Sequence, residues 1–96
     1  ALDQNYPNPF NPNTTIRYQL PADSRVTLKM FNILGQEVKT LIDEVLPAGY
    51  KSVEWDSRNN AGNTVASGVY FYRIDAVSVT QPARMFGQVK KTLLLK

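Results

Sequence analysis

Ninety-six residues are enough for one domain and not for two. Apolar residues make up 43% and charged residues 20%, a globular composition, and the net charge of +3 is mild and dispersed, with no basic run longer than Lys90-Lys91. The absence of Cys and His removes disulfides, thiol nucleophiles, imidazole acid–base catalysis and the commonest metal ligands; no apolar run reaches the ~20 residues of a membrane-spanning helix, the first residues do not read as a charged-then-apolar signal peptide, which leaves a secreted reading open for one domain of a larger precursor, and the charge pattern argues against nucleic acid as a partner.

The first thirteen residues differ from the rest. Tyr6-Pro7-Asn8-Pro9-Phe10-Asn11-Pro12-Asn13 is rich in proline and asparagine. Proline has no N–H and a fixed φ, so it is excluded from a sheet interior. Residues 1–13 are expected to form an extended, turn-rich lead-in lying over a core edge, with Tyr6 and Phe10 as its anchors, and residues 14–96 the domain proper.

From Thr14 the hydrophobic period is two. Ile16, Tyr18 and Leu20 alternate with Thr15, Arg17 and Gln19. After a turn at Pro21–Ser24, Val26, Leu28 and Met30 alternate with Thr27 and Lys29. Asn32-Ile33-Leu34-Gly35 predicts the next turn, with Gly35 free to take φ > 0. Glu37 to Ile42 reads as a strand; over Glu37 to Leu46 the Val38, Leu41, Ile42 and Val45 spacing also admits a helix, which the Val, Thr and Ile content disfavours. Asp43 to Gly49 is expected to be a loop. Tyr50 to Trp55 predicts a strand with Val53 and Trp55 on one face. A polar loop over 56–63 and a very short strand at Thr64–Ala66 follow, with a break or bulge at Ser67-Gly68. Val69 to Val77, apolar on both faces as far as Arg73, predicts a central strand. After a loop at Thr80–Arg84, Gln88 to Lys96 is the closing strand.

About seven short strands in ~100 residues predict an all-β, Ig-like antiparallel β-sandwich without a disulfide. The expected core is Ile16, Tyr18, Val26, Leu28, Val38, Val53, Trp55, Tyr70, Tyr72, Ile74 and Leu93.

The chemically suggestive groupings are weaker than their structural explanations. Glu54 and Asp56 are two residues apart, a spacing compatible with an acid–base pair, but no insertion builds a cleft around them. The oxygen-rich Asp56–Asn63 stretch invites calcium; laid on the EF-hand pattern, the required glycine falls on Ala61 and the closing glutamate on Ser67, so the pattern fails. Tyr6, Phe10, Tyr50, Trp55, Tyr70 and Tyr72 could stack sugars, yet alternating aromatics on a central strand ordinarily fill a sandwich interior. Asn13-Thr14-Thr15 matches the glycosylation pattern, which is too short to carry weight. No catalytic, metal or cofactor site is expected.

Three stretches are more specific: Leu2-Asp3-Gln4-Asn5-Tyr6-Pro7-Asn8-Pro9-Phe10-Asn11-Pro12 with Thr14-Thr15-Ile16; Phe31-Asn32-Ile33-Leu34-Gly35-Gln36-Glu37-Val38; and Ala61-Gly62-Asn63-Thr64-Val65-Ala66-Ser67-Gly68-Val69-Tyr70-Phe71-Tyr72, followed by a Lys-flanked apolar strand. Together they resemble the type A C-terminal sorting domain of the type IX (Por) secretion system across nearly the whole chain. The Gly62–Tyr72 stretch also resembles the Ig-like domain of flagellar hook-capping proteins. The Arg84–Gly87 stretch is less regular than the sorting-domain pattern.

The resemblance implies a non-enzymatic, folded export signal. Its partners would be the outer-membrane secretion machinery, a sortase-like protease and an upstream cargo domain in the same precursor, and its destination the cell surface or the medium. The motif positions carried over are Tyr6, Pro7, Asn8, Pro9 and Phe10, Gly35, Gly68 and Tyr70, and Lys91 and Lys96. The closing strand is the expected recognition surface, because a sheet edge offers unpaired backbone groups. The alternative is a carbohydrate-binding or structural spacer module of an extracellular hydrolase.

Overall fold

Period-two patterning becomes strand wherever one face can be buried. In the computed structural model, which spans residues 1–96, six strands form two antiparallel sheets: β1 (Thr14–Leu20), β2 (Ser24–Phe31), β3 (Glu37–Leu46), β4 (Gly49–Trp55), β5 (Gly68–Ser78) and β6 (Met85–Leu94). β1 pairs with β4, and the larger sheet has the order β3-β2-β5-β6. The two sheets enclose one core in an Ig-like sandwich with no helix and no disulfide.

The alternation of β1, β2 and β5 converts directly into burial. Ile16, Tyr18 and Leu20 from one sheet meet Val26, Leu28, Met30, Tyr70, Tyr72 and Ile74 from the other, and all are buried. β5 lies between β2 and β6, as its two apolar faces require. Trp55 is fully buried at the end of β4, with its indole N–H donating to the Arg58 carbonyl at 2.9 Å. Tyr70 meets that indole edge-on at 5.3 Å between ring centroids, and Phe10 lies against it at 5.7 Å.

Several expectations are corrected. Thr64–Ala66 is not a strand: Thr64 makes one isolated bridge to Arg58, so the sandwich has six strands rather than seven. The Glu37–Leu46 stretch is all strand, with neither the helix nor the loop from Asp43. Asp43 and Glu44 are poor strand formers, but β3 is an edge strand where charge is tolerated, and Asp43 pairs across to Arg25 on β2. β6 begins at Met85 and its buried side chains are Thr92 and Leu94, not Leu93. Val53 is half-buried against the core, which also takes in Leu2, Leu20, Met30 and Ala76.

The β4–β5 loop covers part of the β3 edge. Asn60 N–H donates to the Val38 carbonyl, and the Asn60 side-chain oxygen accepts from Thr40 N–H, both at 3.0 Å. Within the loop the Asn59 side-chain oxygen accepts from the N–H groups of Ala61 and Asn63, each at 3.0 Å. The oxygen-rich stretch thus uses its amides as turn and edge caps, for the backbone reasons that favour asparagine in turns.

Candidate recognition site

The motif residues scatter through the sequence, yet strand pairing gathers them at one end of the sandwich. β2 and β5 bring Phe31 opposite Phe71, and β5 and β6 bring Gly68 opposite Leu94. The β2–β3 turn with Gly35, the start of β5 with Gly68 and Tyr70, and the end of β6 with Lys91 therefore share that end. The lead-in completes it.

The lead-in first runs along β1. Tyr6 and Thr15 exchange backbone hydrogen bonds at 3.0 and 2.9 Å, and Asp3 N–H donates to the Arg17 carbonyl at 2.9 Å. It then crosses to β6: Phe10 N–H donates to the Leu93 carbonyl at 3.1 Å, and Leu95 N–H donates to the Phe10 carbonyl at 3.0 Å. Pro7 and Pro9 occupy the crossing, where no ladder hydrogen bond is asked of them. One segment thereby joins the two sheets along a side that would otherwise lie open.

Asn5 holds this crossing from inside. It is 3% exposed, and its amide nitrogen lies within hydrogen-bond reach of Thr92 Oγ1 (2.6 Å), Thr14 Oγ1 (2.9 Å) and the Pro7 carbonyl (3.2 Å). Its backbone N–H donates to the Tyr72 hydroxyl at 2.8 Å, which in turn donates to the Asp3 carbonyl at 2.8 Å. Gln4 donates both to the Asn5 side-chain oxygen (2.7 Å) and to the Lys91 carbonyl (2.8 Å). No buried side-chain nitrogen or oxygen lacks a partner, which is the condition for a buried polar network to favour one structure. Burial pushes the Tyr72 hydroxyl up to about 12, against the Asn5 N–H that pulls the other way.

Each motif residue has a defined place here. Tyr6 is 73% exposed, so it is not an anchor: its backbone pairs with Thr15 while its side chain faces solvent. Leu2 and Asn5 take the inward positions, and Phe10 is buried as expected. The Pro7 carbonyl accepts from the Thr14 hydroxyl at 2.8 Å, and Pro9 is exposed. The Asn8 side-chain oxygen caps Leu93 N–H at 3.1 Å. Gly35 (φ +79°) and Gly68 (φ +151°) hold backbone conformations that a side chain would strain, although space for a Cβ is open at both. Tyr70 is core, with its hydroxyl donating to the Ala66 carbonyl at 2.6 Å. Lys91 and Lys96 are exposed, and Lys96 N–H donates to the Ser67 hydroxyl at 3.0 Å.

The geometry corrects the expected open edge. At Leu93–Leu95 the outward backbone groups of β6 are already taken by Asn8 and Phe10. The part of that edge without a strand against it lies earlier, around Gly87 and Val89. Sequence reasoning missed Asn5, Thr14 and Thr92 as partners. Thr14 shares the inward parity of Ile16, and that parity is the available signal; the consecutive leucines of β6 give none for Thr92. Glu54 is exposed, and Asp56 accepts from Arg58 N–H at 3.2 Å beside its guanidinium, so the two acids face solvent.

Residues 10–80 match the FlgD Ig-like domain family. No curated protein matches the sequence. Among solved structures, the fold is similar to part of dimeric latent PorU from Porphyromonas gingivalis, with a TM-score of 0.74 at 19% identity over 99% of this chain and 9% of that one. FlgD from P. aeruginosa superposes with a TM-score of 0.65 at 21% identity, over 84% of this chain and 59% of that one. PorZ, described as an essential bacterial surface component of the P. gingivalis type-IX secretion system, gives 0.57 at 20% identity over 97% of this chain and 11% of that one. The chain thus spans about a tenth of the length of PorU and PorZ and over half of FlgD.

Proposed function

Because the chain belongs to the FlgD Ig-like domain family, we propose that it is a non-enzymatic sorting domain of type A, which routes an attached cargo across the outer membrane through the type IX secretion machinery. The observation that carries this reading is the lacing of the lead-in to the last strand. The Tyr6–Phe10 motif and the Lys91–Lys96 stretch, far apart in sequence, form one surface through Asn5, Asn8 and Phe10. A spacer needs no such convergence of motifs, whereas a signal read as a folded object does. Similarity over nearly the whole chain to small portions of PorU and PorZ supports the same reading.

In this account recognition uses shape and exposed groups. Tyr6, Pro9, Lys91 and Lys96 project from the shared end, and Phe10, Gly35, Gly68 and Tyr70 hold that end in shape. The domain carries no catalysis of its own; a sortase-like protease acts on it, and the cargo ends at the surface or in the medium. The sugar-binding alternative loses most of its platform, since Phe10, Trp55, Tyr70 and Tyr72 are buried.

The test is to fuse the domain behind a periplasm-targeted reporter in a bacterium with a working type IX system and in a strain lacking it. Surface exposure of the reporter in the first strain only is the expected result. Retention in the periplasm of both would remove the proposal.

A further inference from the structure

The outward faces of β2, β5 and β6 carry the cations Arg25, Lys29, Arg73 and Lys91. Arg25 pairs with Asp43, Lys29 with Glu37 at 3.0 Å and Arg73 with Asp75 at 2.9 Å. Lys91 has no carboxylate partner. It stands directly across from Phe71, and Phe71 stands across from Phe31.

This row borders an apolar groove of about 290 Å³ lined by Phe31, Ile33, Gly35, Phe71, Arg73 and Val89. At its rim the β2–β3 turn holds Ile33 and Leu34 at 72% and 78% exposure. The turn is rigidly built. Asn32 and Gln36 share a backbone hydrogen bond at 3.0 Å, Gly35 N–H donates to the Asn32 carbonyl at 2.9 Å, and the Asn32 side-chain oxygen accepts from Leu34 and Gln36 N–H at 3.0 Å. Folding gains nothing from displaying two aliphatic side chains on a preorganised tip. A docking partner does, because the ordering cost is already met within the fold.

We propose that this groove and tip are a docking surface for a protein segment that carries a carboxylate between apolar side chains. The apolar groups seat on Phe31, Phe71, Val89 and the Ile33–Leu34 tip, and the carboxylate pairs with Lys91. Lys91 fixes the sign of the partner, since the other cations of the face are neutralised by their own neighbours. The surface shares Lys91 and Gly35 with the recognition end proposed above, and its binding is read on the isolated domain, so its test is separate from export.

The test uses the whole 96-residue domain, immobilised, with a phage-displayed library of short linear peptides as probe. Selected peptides are expected to place Asp or Glu between apolar residues and to shift the amide resonances of Ile33, Leu34, Phe71, Val89 and Lys91. Lys91→Glu should weaken them by about tenfold or more and turn the selection toward Lys- and Arg-bearing peptides. Ile33→Ser with Leu34→Ser, both at exposed positions, should weaken them with an unchanged melt. No enrichment, enrichment indifferent to charge, shifts mapping elsewhere, or sedimentation showing this face occupied by a second copy would each overturn the proposal.

Discussion

Asn5 and Thr92 lie eighty-seven residues apart and meet in a 2.6 Å hydrogen bond inside the sandwich. That bond ties the lead-in to the last strand, and with Thr14 and Tyr72 it makes the first residues of the chain part of the core. Asn5→Ala removes the amide donor from the Thr14 and Thr92 hydroxyls, which keep the Pro7 carbonyl and the Asn8 side-chain oxygen as acceptors. Each lost hydrogen bond is worth about 0.5–1.5 kcal/mol, so the urea midpoint should fall by an amount corresponding to roughly 1–3 kcal/mol. Amide exchange at Tyr6, Phe10 and Leu95 should speed up with it. An unchanged midpoint would show the network to be dispensable.

Trp55 is the largest fully buried side chain, contacted by Phe10 from the lead-in and Tyr70 from β5. Truncation of such a residue costs about 3–5 kcal/mol, a large part of a small domain's stability. Trp55→Ala should therefore unfold the domain or nearly so in a circular-dichroism melt. A wild-type midpoint would mean the indole is not core and would return the sugar-stacking reading to contention.

Gly68 begins β5 at φ +151°, with no atom within 4 Å of where a Cβ would stand. The cost of Gly68→Ala is therefore backbone strain alone, about 1–3 kcal/mol, with no packing clash to relieve. Denaturant unfolding should show that loss without a change in m-value. A neutral substitution would mean that this motif glycine is kept for a reason other than conformation.

Tyr72 couples the network to pH. Burial raises its hydroxyl from the usual 10 to about 12, and burial raises Tyr18 and Tyr70 in the same direction. The folded state therefore holds these protons more tightly than the unfolded one. This contribution is fully present below pH 10 and is lost as pH rises toward 12. Melting temperature should fall steeply across that window. Tyr72→Phe should flatten the fall while lowering stability at pH 7, since Asn5 N–H loses its acceptor. An equally steep alkaline fall in the variant would place the titrating group elsewhere.

The legible parts of this chain are those where alternation alone decides burial. β1, β2 and β5 follow from Ile16, Tyr18, Val26, Leu28, Tyr70, Tyr72 and Ile74. The inward face of β6 is not legible, because Leu93-Leu94-Leu95 is apolar at consecutive positions and no parity stands out; Thr92, drawn inward by Asn5, sets it. Asn5 rather than Tyr6 turns inward for a similar reason. Along β1 the lead-in pairs Leu2 with Tyr18 and Tyr6 with Thr15, a one-residue shift that turns Tyr6 outward. Asn5 in a Pro- and Asn-rich stretch looks like a turn residue, and its burial depends on partners that separate strands deliver. The Arg25–Asp43 pairing that accompanies β3 beyond Ile42 is likewise a cross-strand fact.

The central claim is that the folded domain itself is a sorting signal, and the surface-exposed fraction of a fused reporter tests it most directly. Protease shaving of intact type IX-competent cells should find the reporter at the surface when it carries this domain. An unrelated cysteine-free Ig-like sandwich of matched stability in the same fusion should leave it in the periplasm. Lys91→Glu with Lys96→Glu, exposed substitutions that leave the melt nearly unchanged, should reduce the surface fraction. Equal surface exposure with the unrelated sandwich, or periplasmic retention with this domain, would contradict the account.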